Sequence, residues 1–175
     1  MKNLTLILIP LLLLTGCMEE KEVSSLQDRD GVKYEINSEV GFTGRLVKKY
    51  EDGQKEFEWD YTNGELDGRL TYWGKEGNVT KTEEYKDGQK IYEGNWKNGK
   101  EDGLYTEWYE NGKKMLEGNF KNGKLEGLGT QWYENGQKDY EGNFIDGKEE
   151  GLWTWWDEEG NVTETETFKD GGLVE

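Results

Sequence analysis

The chain has 175 residues, 32% hydrophobic and 34% charged, with a formal net charge of −16 and a mean hydropathy of −1.06. Such acidity repels phosphate backbones and anionic headgroups, which excludes nucleic acid as a partner and limits membrane contact to a covalent anchor. One cysteine and no histidine exclude a disulfide framework, a zinc site and the common nucleophile–base pairs.

Residues 1–16 read as a removable signal peptide. Lys2 supplies the positive end, and Leu4–Leu14 is an apolar run broken by Thr5 and Pro10. As a helix it would reach roughly 16 Å at ~1.5 Å per residue, too short for a hydrocarbon core of ~30 Å. The run ends in Leu14-Thr-Gly-Cys17, which resembles the lipobox of bacterial lipoproteins. The resemblance implies that Cys17 is lipidated and becomes the new N-terminus. It places the protein on the cell envelope, in the outer membrane or on the outer leaflet of the cytoplasmic membrane, with its domain outside the cytoplasm. Residues 17–40 then hold the lipidated cysteine and a tether. Its part up to Gly31, polar and aperiodic with Glu19-Glu-Lys-Glu22, is expected to be flexible, and Val32–Ile36 to form a first strand.

Residues 41–175 form the folded domain. Eight Trp, ten Tyr and five Phe offer a core that the aliphatics do not supply. Asn-Gly, Asp-Gly and Glu-Gly pairs from Asp52-Gly53 to Glu159-Gly160 cut this region into strand-length runs. Each pair reads as a two-residue type I′ hairpin turn, because its central residues need φ > 0. The expected fold is all-β, an elongated antiparallel meander curled as a single sheet.

One phrase recurs. It stands at Tyr92-Glu-Gly-Asn-Trp96-Lys-Asn-Gly-Lys-Glu-Asp-Gly103, at Leu116–Gly127 and at Tyr140–Gly151, so that Gly103, Gly127 and Gly151 lie 24 residues apart. A fixed period of this size marks a repeat architecture. Being even, it returns each column of side chains to the same face. One face is expected to carry Tyr85, Tyr92, Trp96, Leu116, Phe120, Tyr140 and Phe144, with room left by Gly94, Gly118 and Gly142. The other is expected to carry Trp73, Trp108, Trp132 and Trp156, with Leu104, Leu128 and Leu152, Thr71, Thr106, Thr130 and Thr154, and Glu93, Glu117 and Glu141. Gly68 and Gly103 lie 35 residues apart, and three strands in place of two are expected to keep the faces in phase.

The phrase, with the Trp-Tyr-Glu-Asn-Gly of Trp108–Gly112 and Trp132–Gly136, resembles the MORN repeat in its bacterial variant, which is associated with YwqK-type antitoxins. The resemblance implies MORN-type hairpin repeats, structural roles for the phrase glycines, and a partner protein, toxin-like and basic, held without catalysis.

Serines occur only at 24, 25 and 38, and no Gly-x-Ser-x-Gly elbow or calcium loop is present. No enzyme, cofactor or metal is expected. The expected binding face is the ladder of Trp73, Trp108, Trp132 and Trp156. An acidic rim around such rings suits a cationic ligand. The alternative is an envelope or host-surface adhesin that takes glycan or protein on the same rings, or a structural scaffold.

Overall fold

The structure is a computed structural model that describes residues 20–22 and 25–174. The signal peptide and Cys17 lie outside the described residues. The strands are β1 (Glu20–Glu22), β2 (Leu26–Arg29), β3 (Val32–Glu35), β4 (Gly44–Lys49), β5 (Lys55–Thr62), β6 (Glu65–Trp73), β7 (Val79–Lys86), β8 (Gln89–Lys97), β9 (Lys100–Trp108), β10 (Lys114–Lys121), β11 (Lys124–Leu125), β12 (Gly127–Trp132), β13 (Lys138–Ile145), β14 (Lys148–Trp156), β15 (Val162–Lys169) and β16 (Gly172–Leu173). From β4 onward each strand pairs with the next in one long, open sheet, with β11 and β12 sharing the edge of β10. The all-β meander expected from the sequence is therefore present. β1 joins its start in parallel with β4, which makes the sheet mixed.

Strands β1 and β2 fall where a flexible tether was expected. β2 and β3 form a hairpin that docks on the first repeat: Lys33 N–H donates to the Gly64 carbonyl at 2.8 Å, and Phe42 N–H donates to the Lys33 carbonyl at 2.8 Å. Leu26 packs against the buried cluster of Phe42, Leu46 and Tyr61. A sheet of repeats exposes an apolar end, and a short hairpin laid against it removes that end from water.

Two kinds of turn alternate through most of the chain. Asn63-Gly64, Asp87-Gly88, Asn98-Gly99, Asn122-Gly123 and Asp146-Gly147 have φ > 0 at both residues and are the expected type I′ turns, and Asp170-Gly171 adds another of the same kind. The others differ from expectation. At Gly53, Gly77, Gly112, Gly136 and Gly160 only the glycine has positive φ, and its N–H donates three residues back, as from Gly112 to Tyr109 at 2.9 Å. These are three-residue loops, each one residue longer than a type I′ turn. The strand after each loop carries a one-residue bulge that cancels the offset. Trp108 pairs with Lys114, yet Glu107 pairs with Leu116 and Tyr105 with Gly118. The body of each hairpin thus keeps the expected register while its end does not.

The expected phase fails at one junction. Tyr85 pairs with Lys90 but Glu84 with Tyr92, so β8 keeps the bulge although the turn before it is the two-residue Asp87-Gly88. Nothing cancels the offset there, and the faces exchange. Paired residues run Leu46–Trp59–Leu70–Glu83–Glu93–Thr106–Glu117–Thr130–Glu141–Thr154–Thr165 along one face, called the front. The back runs Val47–Glu58–Thr71–Thr82–Gly94–Tyr105–Gly118.

The aromatic clusters follow this exchange. In the first block, β4–β7, Phe57 stacks on Trp59 at 4.4 Å and Tyr72 lies 6.2 Å from Phe57, all on the front. In the second block, β8–β15, Tyr105 meets Tyr92 and Phe120 at 5.4 Å each, and Trp153 sits among Tyr140, Phe144, Trp155 and Phe168, on the back. Tyr85, expected beside Tyr92, is on the front. Thr71 and Trp73, expected beside Thr106 and Trp108, are on the back.

The two blocks close alike. Glu76-Gly-Asn-Val-Thr-Lys-Thr-Glu83 and Glu159-Gly-Asn-Val-Thr-Glu-Thr-Glu166 hold the same places, and each leads to an aromatic followed by Lys-Asp-Gly. β7 and β15 are therefore equivalent closing strands, and β8 begins a new block on the edge of the first.

Candidate functional site: a lysine–tryptophan ladder

The tryptophans of the front end the second strand of each hairpin. Trp108, Trp132 and Trp156 are half-buried and recur every second strand, about 9.6 Å apart at ~4.8 Å per strand. A lysine from the preceding strand lies over each ring: Lys90 at 5.9 Å from Trp108, Lys114 at 5.8 Å from Trp132 and Lys138 at 5.5 Å from Trp156. Each lysine also pairs with the glutamate three residues on. Lys90 meets Glu93 at 2.8 Å and Lys138 meets Glu141 at 2.5 Å, and Lys114 pairs likewise with Glu117. Lysine and tryptophan therefore alternate across the sheet, beside a row in which glutamate and threonine alternate.

Trp73 has the same arrangement, with Lys55 5.8 Å from its ring and 2.6 Å from Glu58, but on the back. The structure brings together three of the four tryptophans expected to form one face. It also occupies their rings. A cationic ligand would have to displace the chain's own lysines, so the rings are not open cation sites. Sequence reading missed these lysines, although Lys90, Lys114 and Lys138 recur at the repeat spacing.

Tyrosines tie neighbouring repeats together beside the ladder. Tyr109 Oη donates to the Trp132 carbonyl at 2.7 Å and Tyr133 Oη to the Trp156 carbonyl at 2.8 Å. A second apolar row lies at the other end of the same strands. Leu104, Leu128 and Leu152 are 49%, 51% and 61% exposed. They are pushed outward by bulges at Gly103, Gly127 and Gly151, whose φ of 119°, 83° and 77° suit glycine. The acidic residue before each glycine bonds the next type I′ turn: Asp102 accepts from Asn122 N–H at 3.2 Å, Glu126 from Asp146 N–H at 3.1 Å and Glu150 from Asp170 N–H at 2.9 Å. This explains the recurring acidic-Gly pair in the phrase.

Gly94, Gly118 and Gly142 lie on the back among the rings, as expected, but their surroundings differ. A Cβ at Gly142 would lie 2.1 Å from the Trp153 ring; one at Gly118 would meet only Leu125 at 3.4 Å. Trp153 is fully buried against that glycine, and its indole N–H has no acceptor.

The charged cluster where the blocks meet is the most buried on the front. Glu83 is 4% exposed and lies 3.0 Å from Lys81, with Lys90 also bonded to it. Burial works against the charge of Lys90, but the bonds to Glu83 and Glu93 prevail and hold its pKa above the ordinary value. Burial likewise raises the pKa of Glu93, and the bonds from Lys90 and Lys81 outweigh it, for a net lowering. Tyr140, packed on Trp153, is pushed up to about 12 by burial. Among the described residues no group of three or more His, Cys, Asp or Glu is placed to hold a metal.

Family comparison agrees with this geometry. The MORN repeat variant matches residues 101–122 and 149–170, and the MORN repeat matches residues 117–138 and 140–152. All four matches lie within the second block. No curated protein matches the chain.

Proposed function

Because the chain carries MORN repeats between residues 101 and 170, a kind of repeat that commonly serves protein or membrane interaction and is generally noncatalytic, we propose that it is a noncatalytic protein-binding module on a bacterial cell envelope. In this reading Cys17 carries the lipid anchor, and the domain beyond it blocks or holds a basic, toxin-like protein, as an immunity or YwqK-type antitoxin relative would. The observation that carries the reading is the front of the second block. It repeats every two strands, and carries the exposed Leu104, Leu128 and Leu152 on the same face as the Trp108, Trp132 and Trp156 ladder. Large aromatics with apolar neighbours form the anchors of protein interfaces. The lysines over the rings count against the alternative of an adhesin that stacks glycan on them.

Two measurements test it. Metabolic labelling with a radioactive fatty acid should mark the wild type and not Cys17→Ala. The domain from residue 19 onward should retain a basic protein from envelope extracts at low salt and release it at high salt. Trp108→Ala with Trp132→Ala should weaken that retention about tenfold, or ~1.4 kcal/mol. Retention of wall glycan alone would overturn the protein-binding reading.

A further inference from the structure

The equivalence of β7 and β15 carries a second binding surface. β7 is covered on its far side by β8, whereas among the described residues β15 is covered only from Thr167 to Lys169, by β16 and Val174. On the rest of that edge residues 162–165 are exposed and Glu166 is half-buried. Val174 N–H donates to the Thr167 carbonyl at 2.7 Å, so the odd-numbered residues of β15 turn their backbone groups to the open side. Thr165 therefore offers an N–H and a carbonyl to a further strand.

The charges on this edge state what kind of strand fits. In β7, Glu83 is neutralised by Lys81 from its own strand and by Lys90 from the incoming one. The equivalent of Glu83 is Glu166, and the equivalent of Lys81 is Glu164. Neither Glu164 nor Glu166 has an ion-pair partner among the described residues, and Glu166 adds to the raised pKa of Glu149, after burial. Pairing β15 with a second β15 would set these acids against each other, which a sheet disfavours.

We propose that the Val162–Glu166 edge of β15 binds an extended, lysine-bearing segment of a partner protein as an added strand, in the way that β7 receives β8. The proposal rests on the protein-binding reading but uses an edge remote in kind from the ladder, so the two can fail separately. Backbone hydrogen bonds give such an added strand its affinity and alternate side chains its selectivity.

The probe is a nonapeptide copied from residues 89–97 with Glu93→Lys and Asn95→Lys, which sets lysines opposite Glu166 and Glu164. Fluorescence anisotropy on the whole domain measures binding, and amide hydrogen exchange locates it. Binding should protect the Thr165 amide. Glu164→Lys with Glu166→Lys should weaken it about tenfold or more, and Thr165→Pro should abolish it while leaving the β14 side of the ladder paired. Trp108→Ala with Trp132→Ala should leave it unchanged. Absence of binding, equal binding to the Glu164→Lys/Glu166→Lys protein, or protection mapped elsewhere overturns the proposal. Self-association of the free domain that the peptide reverses also overturns it, in favour of a second copy as the occupant.

Discussion

Glycines that the repeat treats as one position are physically unequal. At Gly142 a methyl group would enter the space of the Trp153 ring, which is fully buried and has nowhere to retreat. Gly142→Ala should lose about 1–3 kcal/mol, as overpacked cores do. Gly118→Ala meets only ordinary contact, and a strand gains up to about 1 kcal/mol from such a change. Urea unfolding of the two variants should separate them. Carboxylates differ in the same way. Burial raises the pKa of Glu101, and burial followed by Glu166 raises that of Glu149. A carboxyl with a raised folded pKa takes up protons on folding, so its charge costs stability at neutral pH, and the cost disappears as pH falls below the unfolded value. Glu101→Gln and Glu149→Gln should each be more stable than wild type at pH 7 and lose that advantage under acid, by thermal melts across that range. Glu93 has the opposite sign, since its pKa is lowered: its contribution is present above the ordinary glutamate value and is lost as pH falls through the folded one.

Strands and turns show what the sequence could and could not reveal. Hairpin existence was legible because Asn-Gly and Asp-Gly pairs have few other uses, and the MORN-like phrase pointed to the fold. Turn length was not. Asn111-Gly112 and Asn122-Gly123 carry the same residues, yet the first is a three-residue loop and the second a two-residue turn. The distinction lies in the bulge that follows, at Met115, and a bulge has no residue signature of its own. The same blindness hid the exchange of faces at Asp87-Gly88 and so put Trp73 with the wrong partners. The lysines of the ladder were readable by their spacing but need the third dimension to be placed over rings. The acidic residue before each bulge glycine was visible as a motif with no stated cause. Its cause is the next turn: Glu150→Ala should leave the Asp170 amide without its acceptor, cost about 0.5–1.5 kcal/mol, and speed hydrogen exchange at Asp170.

Across the whole molecule, the two blocks bury their rings on opposite faces and are joined in the sheet at the β7–β8 seam. A chain of repeats whose contacts are between neighbours need not unfold as one unit. Tryptophan fluorescence of a variant retaining only Trp59 should report a different denaturant midpoint from one retaining only Trp153. The seam itself is held by Glu83 between Lys81 and Lys90, and Glu83→Ala should cost about 1.5–3 kcal/mol and widen the gap between the two midpoints.

The uncancelled bulge after Asp87-Gly88 also limits how such a gene can grow. Copying a full two-strand repeat in frame adds one loop of each kind and leaves every downstream side chain facing as before. Copying a single strand, with the turn that closes it, sends all that follows to the other side. A lineage that lengthens by whole repeats keeps its binding surface and extends it; one that lengthens by half a repeat acquires a second surface facing the opposite way.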